Sequence, residues 1–305
     1  MWDLLFENKL QNVIPEERFF RDEPMYKHTT FRVGGNARGY VLISDVRELE
    51  DVLNVCKESD VSTYVIGNGS NLLVSDEGYD GLIIELGRAM NDIRLEDGII
   101  KASAGALLST LASFALKNSL TGLEFAAGIP GTVGGAMVMN AGAYGGEMKD
   151  VVKEVLVYDP ESGAVLSIES EKMDFSYRHS VVKDKGYIVL GAQFKLMPGV
   201  MSDIKAVMDE LAAKRREKQP LEYPSAGSTF KRPEGYFAGK LIQDSGLMGY
   251  SVGDAEVSKK HAGFVINKGK AKAADIHRLI YDVRDKVLED TGVTLEPEVI
   301  MLGKF

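Results

Sequence analysis

The chain is poor in the residues that staple or anchor a protein. Among 305 residues there is one cysteine, Cys56, one tryptophan and four histidines. A single cysteine excludes an internal disulfide and any multi-cysteine zinc or iron–sulfur site, and it suits a reducing compartment. No apolar run resembles a membrane helix or the core of a signal peptide. The longest uncharged stretch, 125–146, is broken by seven glycines, Pro130 and Asn140. The N-terminus carries charge from Asp3 onward, so no leader is expected. Positive charge is also short: 36 basic against 45 acidic residues leave a net charge of −9, which argues against nucleic acid as a partner.

What is present is an ordinary globular balance, 45% hydrophobic and 27% charged, with enough length for two domains or three small lobes. Such a chain can bury about three quarters of its unfolded surface without staples. Glycine is enriched, at 32 residues.

Residues 1–30 read as a polar, helical arm. Gly39–Ile43 reads as a strand. Ser44-Asp45 then caps a helix with Val46, Leu49, Val52, Leu53 and Cys56 on one face. Strands are expected at 61–66, 72–74 and 82–86, giving a β-α-β opening. Asp97-Gly98 joins two strand-like runs, a strong hairpin signal. A helix over 107–116, a second hairpin around 160–163 and a strand over 187–196 follow. Pro198-Gly199 marks a boundary. Helices are expected over 203–218, 237–244 and 273–290. A closing strand over 293–302 carries Glu296 and Glu298. Mixed hairpins and crossovers point to an α+β fold.

Two glycine-rich segments stand out: Gly67-Asn68-Gly69-Ser70-Asn71, after a strand, and Gly128-Ile129-Pro130-Gly131-Thr132-Val133-Gly134-Gly135. Glycine lets backbone N–H groups converge on a phosphate and leaves no Cβ in the way. Neither segment is a Rossmann fingerprint, because Leu72 stands at the third glycine position, and no Walker A sequence is present. Either alone suits a tight turn as well as a ligand. Together they favour a large ligand with a diphosphate.

Residues 65–74 and 128–136 resemble the flavin-binding segments of the vanillyl-alcohol-oxidase-type (PCMH) FAD domain. With Tyr177-Arg178, Ala226-Gly227-Ser228-Thr229-Phe230 and Leu295-Glu296-Pro297-Glu298-Val299, the chain resembles the UDP-N-acetylenolpyruvoylglucosamine reductase (MurB) family over roughly 28–302. The resemblance implies a PCMH-type FAD-binding domain of two α/β subdomains, 31–87 and 88–198, and a C-terminal α+β substrate-binding domain, 199–305. It implies non-covalent FAD held by Gly67, Asn68, Gly69, Ser70, Asn71, Leu72, Gly128, Ile129, Pro130, Gly131, Gly134, Gly135 and Ala136. NADPH is the implied hydride donor, and the enolpyruvyl ether of UDP-N-acetylglucosamine the substrate, reduced to UDP-N-acetylmuramate for peptidoglycan synthesis.

By the same resemblance Ser228 protonates the substrate, Arg178 and Glu298 complete the active site, and Lys218 meets the substrate. No metal is implied. Small molecules are the expected partners, and a monomer acting in the cytoplasm is expected, with no membrane contact. The chain departs from longer family members, which carry a tyrosine-bearing loop after the Arg motif; here a strand at Tyr187 follows almost at once. His179 stands where an acidic residue is common. His28 reads as structural rather than as a flavin attachment point. Two other readings stay open at this stage: another PCMH-type flavin enzyme acting on an alcohol or sugar, and a flavin- or nucleotide-binding regulator without catalysis.

Overall fold

The computed structural model describes residues 2–305. Asp3 starts the first helix, α1 (Leu4–Gln11), by accepting the Phe6 N–H at 2.9 Å. The arm expected to be helical as far as residue 30 is helical only briefly. Pro15 and Pro24 interrupt the intervening segment, and Phe19–Pro24 forms strand β1, with Phe19 buried and Phe20 exposed as a strand's alternation requires. Strand β2 (Asn36–Leu42) follows. Asp45 then caps α2 (Val46–Glu58), whose buried face is Leu49, Val52 and Cys56. Burial pushes the Cys56 thiol up to about 12.

Strands β3 (Thr63–Ile66), β4 (Leu72–Val74) and β5 (Tyr79–Glu85) come next. The sheet order β1-β2-β5-β3 includes a parallel β3–β5 pair. The Asp97-Gly98 hairpin forms as expected, joining β6 (Ile93–Glu96) and β7 (Ile99–Ser103), with both turn residues at positive φ. After α3 (Leu108–Lys117) and α4 (Val133–Met139) come β8 (Val152–Asp159) and β9 (Ala164–Glu169). A short helix, α5 (Val181–Lys185), precedes β10 (Ile188–Lys195). These make an antiparallel sheet of order β9-β8-β10-β7-β6. Leu108, Leu111, Val133, Met137, Val155 and Phe194 lie in the core that α3 and α4 form against it.

The principal elements of the rest of the chain are α6 (Met201–Lys218), α7 (Ala238–Asp244), β11 (Ser251–Val252), β12 (Ala255–Val257), β13 (Val265–Asn267), α8 (Ala273–Thr291) and β14 (Ile300–Leu302). The 3.6-residue pattern of α8 puts Ile276, Leu279, Ile280, Val283, Val287 and Leu288 on one side, and all of these are buried except Leu288, which is exposed near the end of the helix. The buried face shares a core with Phe230, Leu241, Val265 and Leu295. The closing strand expected over 293–302 is shorter. Pro297 has no N–H to give a ladder, so only a single bridge to Phe230 and then β14, parallel to β4, are formed.

The chain divides into two compact units. One comprises the chain up to Phe20 with Gly39–Asn68 and Gly81–Lys214; the other comprises Arg21–Arg38, Gly69–Asp80 and Arg215–Phe305.

Candidate functional site

In the first unit, the end of β3 delivers Gly67 against Thr132. A Cβ on Gly67 would stand 2.3 Å from the Thr132 hydroxyl, so any side chain would displace it. The neighbouring Asn68 amide donates to the Pro130 carbonyl at 2.8 Å. The two glycine segments are thereby joined, although nothing in their sequences announces the pairing. Thr132 was not singled out from sequence, yet it is the hub. It is buried, and its hydroxyl caps α4 by accepting the Gly135 N–H at 3.4 Å. A threonine before Val-Gly-Gly is the capping signal that marks it.

The second segment is zipped to the loop ahead of α3. Leu108 N–H donates to Gly131 O at 3.0 Å, Val133 N–H to Ala106 O at 2.8 Å, and Gly134 N–H to Ala104 O at 2.8 Å. Gly134 is so close to Ala104 that a Cβ would meet the alanine Cβ at 3.1 Å. Ile129 and Gly131 are half-buried, Gly128, Pro130 and Gly135 are exposed, and Ala136 is buried.

The second unit holds Gly69, Ser70, Asn71 and Leu72. Gly69 has φ +56°, and a Cβ there would lie 1.9 Å from the His28 carbonyl oxygen, so glycine is required. His28 itself pairs with Glu23 at 2.9 Å, in keeping with a structural role. Thr30 N–H donates to Gly69 O at 3.3 Å, and the Asn71 amide donates to Glu298 O at 3.0 Å. Among the described residues, the backbone N–H groups of Gly69, Ser70 and Asn71 donate to no protein acceptor. Leu72 begins β4 and is buried. The backbone N–H donors left over at Gly69, Ser70 and Asn71 fit the phosphates of a dinucleotide such as FAD.

Arg178 lies in the first unit at the tip of a tight hairpin whose base is closed by mutual backbone bonds between Ser176 and His179, 3.3 and 3.2 Å. Its φ of +58° is unusual for a side chain of this size and costs about 1–2 kcal/mol. The guanidinium stands 5.2 Å from the Tyr177 ring centroid. Buried Asn140, itself at φ +42°, holds this turn: its amide donates to Ser176 O at 3.2 Å and to Glu147 at 2.9 Å, and its carbonyl accepts Lys149 N–H at 3.0 Å. The Lys149 ammonium keeps the Glu147 carboxyl below its ordinary range, helped by the Asn140 amide and the Arg178 charge. His179 sits between Asp174 and Asp184, at 3.3 and 3.4 Å.

Ser228 is exposed beside Gly227, which has φ +77°. The next residue, Thr229, is fully buried and fastened on three sides. Its N–H donates to Gly263 O at 2.8 Å, its hydroxyl accepts Val265 N–H at 2.9 Å, and its carbonyl accepts Glu298 N–H at 2.8 Å. Ser228 and half-buried Glu298 are therefore set on adjacent backbones. Lys218 is exposed in the last turn of α6, and among the described residues no contact links it to Ser228 or Glu298.

The profile of the UDP-N-acetylenolpyruvoylglucosamine reductase C-terminal domain matches residues 219–302, and that of an FAD binding domain matches 37–169. A UDP-N-acetylenolpyruvoylglucosamine reductase of Agathobacter rectalis is 53% identical over 98% of this chain and 99% of its own length. The crystal structure of UDP-N-acetylenolpyruvylglucosamine reductase (MurB) from Thermus caldophilus superposes with a TM-score of 0.80 at 35% identity, covering 93% of this chain and 98% of that one. Substrate-bound p-cresol methylhydroxylase shares the fold at a TM-score of 0.50 and 13% identity, covering 95% of this chain and 67% of that one.

Proposed function

The chain belongs to the UDP-N-acetylenolpyruvoylglucosamine reductase family, and from that premise we propose how its residues reduce the enolpyruvyl ether of UDP-N-acetylglucosamine to UDP-N-acetylmuramate. The protein is an FAD-dependent oxidoreductase that uses NADPH and acts on small molecules in peptidoglycan precursor synthesis. Its fold is α+β with a PCMH-type FAD-binding domain. FAD held by the two glycine segments would supply the hydride chemistry, accepting hydride from NADPH and passing it to the vinyl CH2 carbon of the substrate.

The chain's own residues do the rest. Gly67–Leu72, Gly128–Gly131 and Gly134–Ala136 hold the flavin, supported by the unused backbone N–H groups of Gly69, Ser70 and Asn71. Hydride addition piles negative charge onto the substrate carboxylate, and the fixed charge of Arg178 opposes it. Ser228 gives its hydroxyl proton to the adjacent carbon. Glu298 orients the substrate or acts as an acid, and Lys218 meets the substrate from the end of α6. Residues 31–87 and 88–198 serve the flavin, and 199–305 the sugar nucleotide. The protein works as a monomer in the cytoplasm. No helix among the described residues is long and apolar enough to cross a membrane.

The observation that carries the assignment of the acid is the Glu298 N–H to Thr229 C=O bond, which puts the Ser228 and Glu298 side chains on neighbouring backbones. The test is Ser228→Ala against Ser228→Cys in separate half-reactions. Alanine leaves flavin reduction by NADPH near normal and lowers turnover on the order of 10²–10⁴-fold, the reach of a positioned acid. Cysteine, which can deliver a proton, does better than alanine. An alanine variant whose flavin is reoxidised by substrate at the normal rate removes Ser228 from the chemistry.

A further inference from the structure

The segment Asn140-Ala141-Gly142-Ala143-Tyr144-Gly145-Gly146 closes the glycine-rich stretch, and none of its residues has been given a part in the reaction. Asn140 is the left-handed C-cap of α4, the short helix whose other end is the glycine segment 131–136. It is 1% exposed, and both ends of its amide are used. The carbonyl fixes Lys149 N–H, while the NH2 group bridges the Glu147 carboxylate and the Ser176 carbonyl. Ser176 is the residue whose mutual backbone bonds with His179 close the turn carrying Arg178. A second tie, from the Ser180 hydroxyl to Val138 O at 2.9 Å, runs from the far side of the same turn to the same helix.

The strained backbone of Arg178 needs such support. A left-handed arginine at a turn tip relaxes to an ordinary φ unless the residues on either side are held. Asn140 supplies a donor to the near side of the turn, and Ser180 fastens the far side. The geometry points to Asn140 as a positioning residue for the reduction: it acts through Arg178, holding the guanidinium's turn in register with the helix that bears the second glycine segment. The inference rests on Arg178 serving the substrate half-reaction, as proposed above.

Two variants separate side chain from backbone. Asn140→Asp keeps the acceptor for Lys149 N–H but replaces the donor with a carboxylate facing Glu147 and the Ser176 carbonyl. Asn140→Gly keeps the left-handed backbone and removes the amide entirely. Both are compared as FAD-loaded enzymes with the wild type, Arg178→Ala and the double variant Asn140→Asp/Arg178→Ala. Reduction by NADPH and anaerobic reoxidation by UDP-N-acetylglucosamine enolpyruvate are followed separately by stopped flow.

Either Asn140 change should slow reoxidation by substrate on the order of 10²-fold, the scale of a misplaced catalytic group, with flavin content and reduction by NADPH near wild type. In the Arg178→Ala background the Asn140→Asp change should add almost nothing, because residues acting through one another are not additive. A full multiplicative effect in the double variant, normal reoxidation in Asn140→Gly, or loss of folded, flavin-bound protein in both single variants would overturn the inference and leave Asn140 a residue of the fold alone. Normal reoxidation in Arg178→Ala itself would overturn the reading on which it rests, an outcome distinct from the others.

Discussion

Asn68 donates its side-chain amide to the Pro130 carbonyl at 2.8 Å across 62 residues of sequence. The bond ties the start of the first glycine segment to the second. Asn68→Ala should therefore loosen flavin without unfolding the protein. One neutral hydrogen bond contributes about 1 kcal/mol, so FAD affinity of the apoprotein should fall about fivefold. Titration with FAD, followed by flavin fluorescence, checks this. Unchanged affinity would mean the two segments are held together by other contacts.

Gly69 makes a harsher case. A Cβ there meets the His28 carbonyl at 1.9 Å, and the φ of +56° resists any side chain. The obstacle is backbone, so it cannot swing aside. Gly69→Ala should give protein that purifies without colour and does not recover it with added FAD. A yellow alanine variant with normal flavin content would contradict the cradle.

How much of this was legible beforehand differs by element. Helix α8 and the Asp97-Gly98 hairpin were readable because period and turn chemistry are local. The final strand was overextended because Val293 to Leu302 has β-forming residues, while Pro297 decides against the ladder. Within the first 30 residues, the Phe19-Phe20 alternation is too short a signal to reveal strand β1. At the site, the glycines announced close backbone approach but not what they approach. Thr132 and Asn140 were missed because their roles depend on partners such as Gly67 and Ser176, distant in sequence. The placing of Ser228 beside Glu298 likewise depends on Thr229, whose importance is its three hydrogen bonds rather than any motif of its own.

The ion pair of Arg18 with Glu48 ties the approach to β1 to the start of α2. Glu48 accepts from the Arg18 guanidinium and also from the Ser44 N–H at 2.9 Å and hydroxyl at 2.6 Å. The Arg18 hydrogen bonds, with those of Ser44, lower the Glu48 carboxyl from 4.5 to about 2. A depressed carboxylate stabilises the fold above its unfolded value and ceases to do so as pH falls through its folded one. Glu48→Gln should thus cost about 2 kcal/mol at pH 7, typical of hydrogen bonds to a charged group. The gap between variant and wild type should close progressively between about pH 5 and pH 2. Denaturant melts across that range test it, and parallel stability curves would contradict it.

Electrons pass from NADPH through bound FAD to the enolpyruvyl ether of a UDP-sugar. The direct measurement is the visible spectrum of the purified protein under strict exclusion of oxygen, recorded before NADPH, after NADPH and after UDP-N-acetylglucosamine enolpyruvate. The expected result is a flavin spectrum that NADPH bleaches and that the sugar nucleotide then restores, one equivalent of UDP-N-acetylmuramate appearing for each flavin reoxidised. A bleached flavin that stays bleached with this substrate, and regains its colour only when air is admitted, would contradict it.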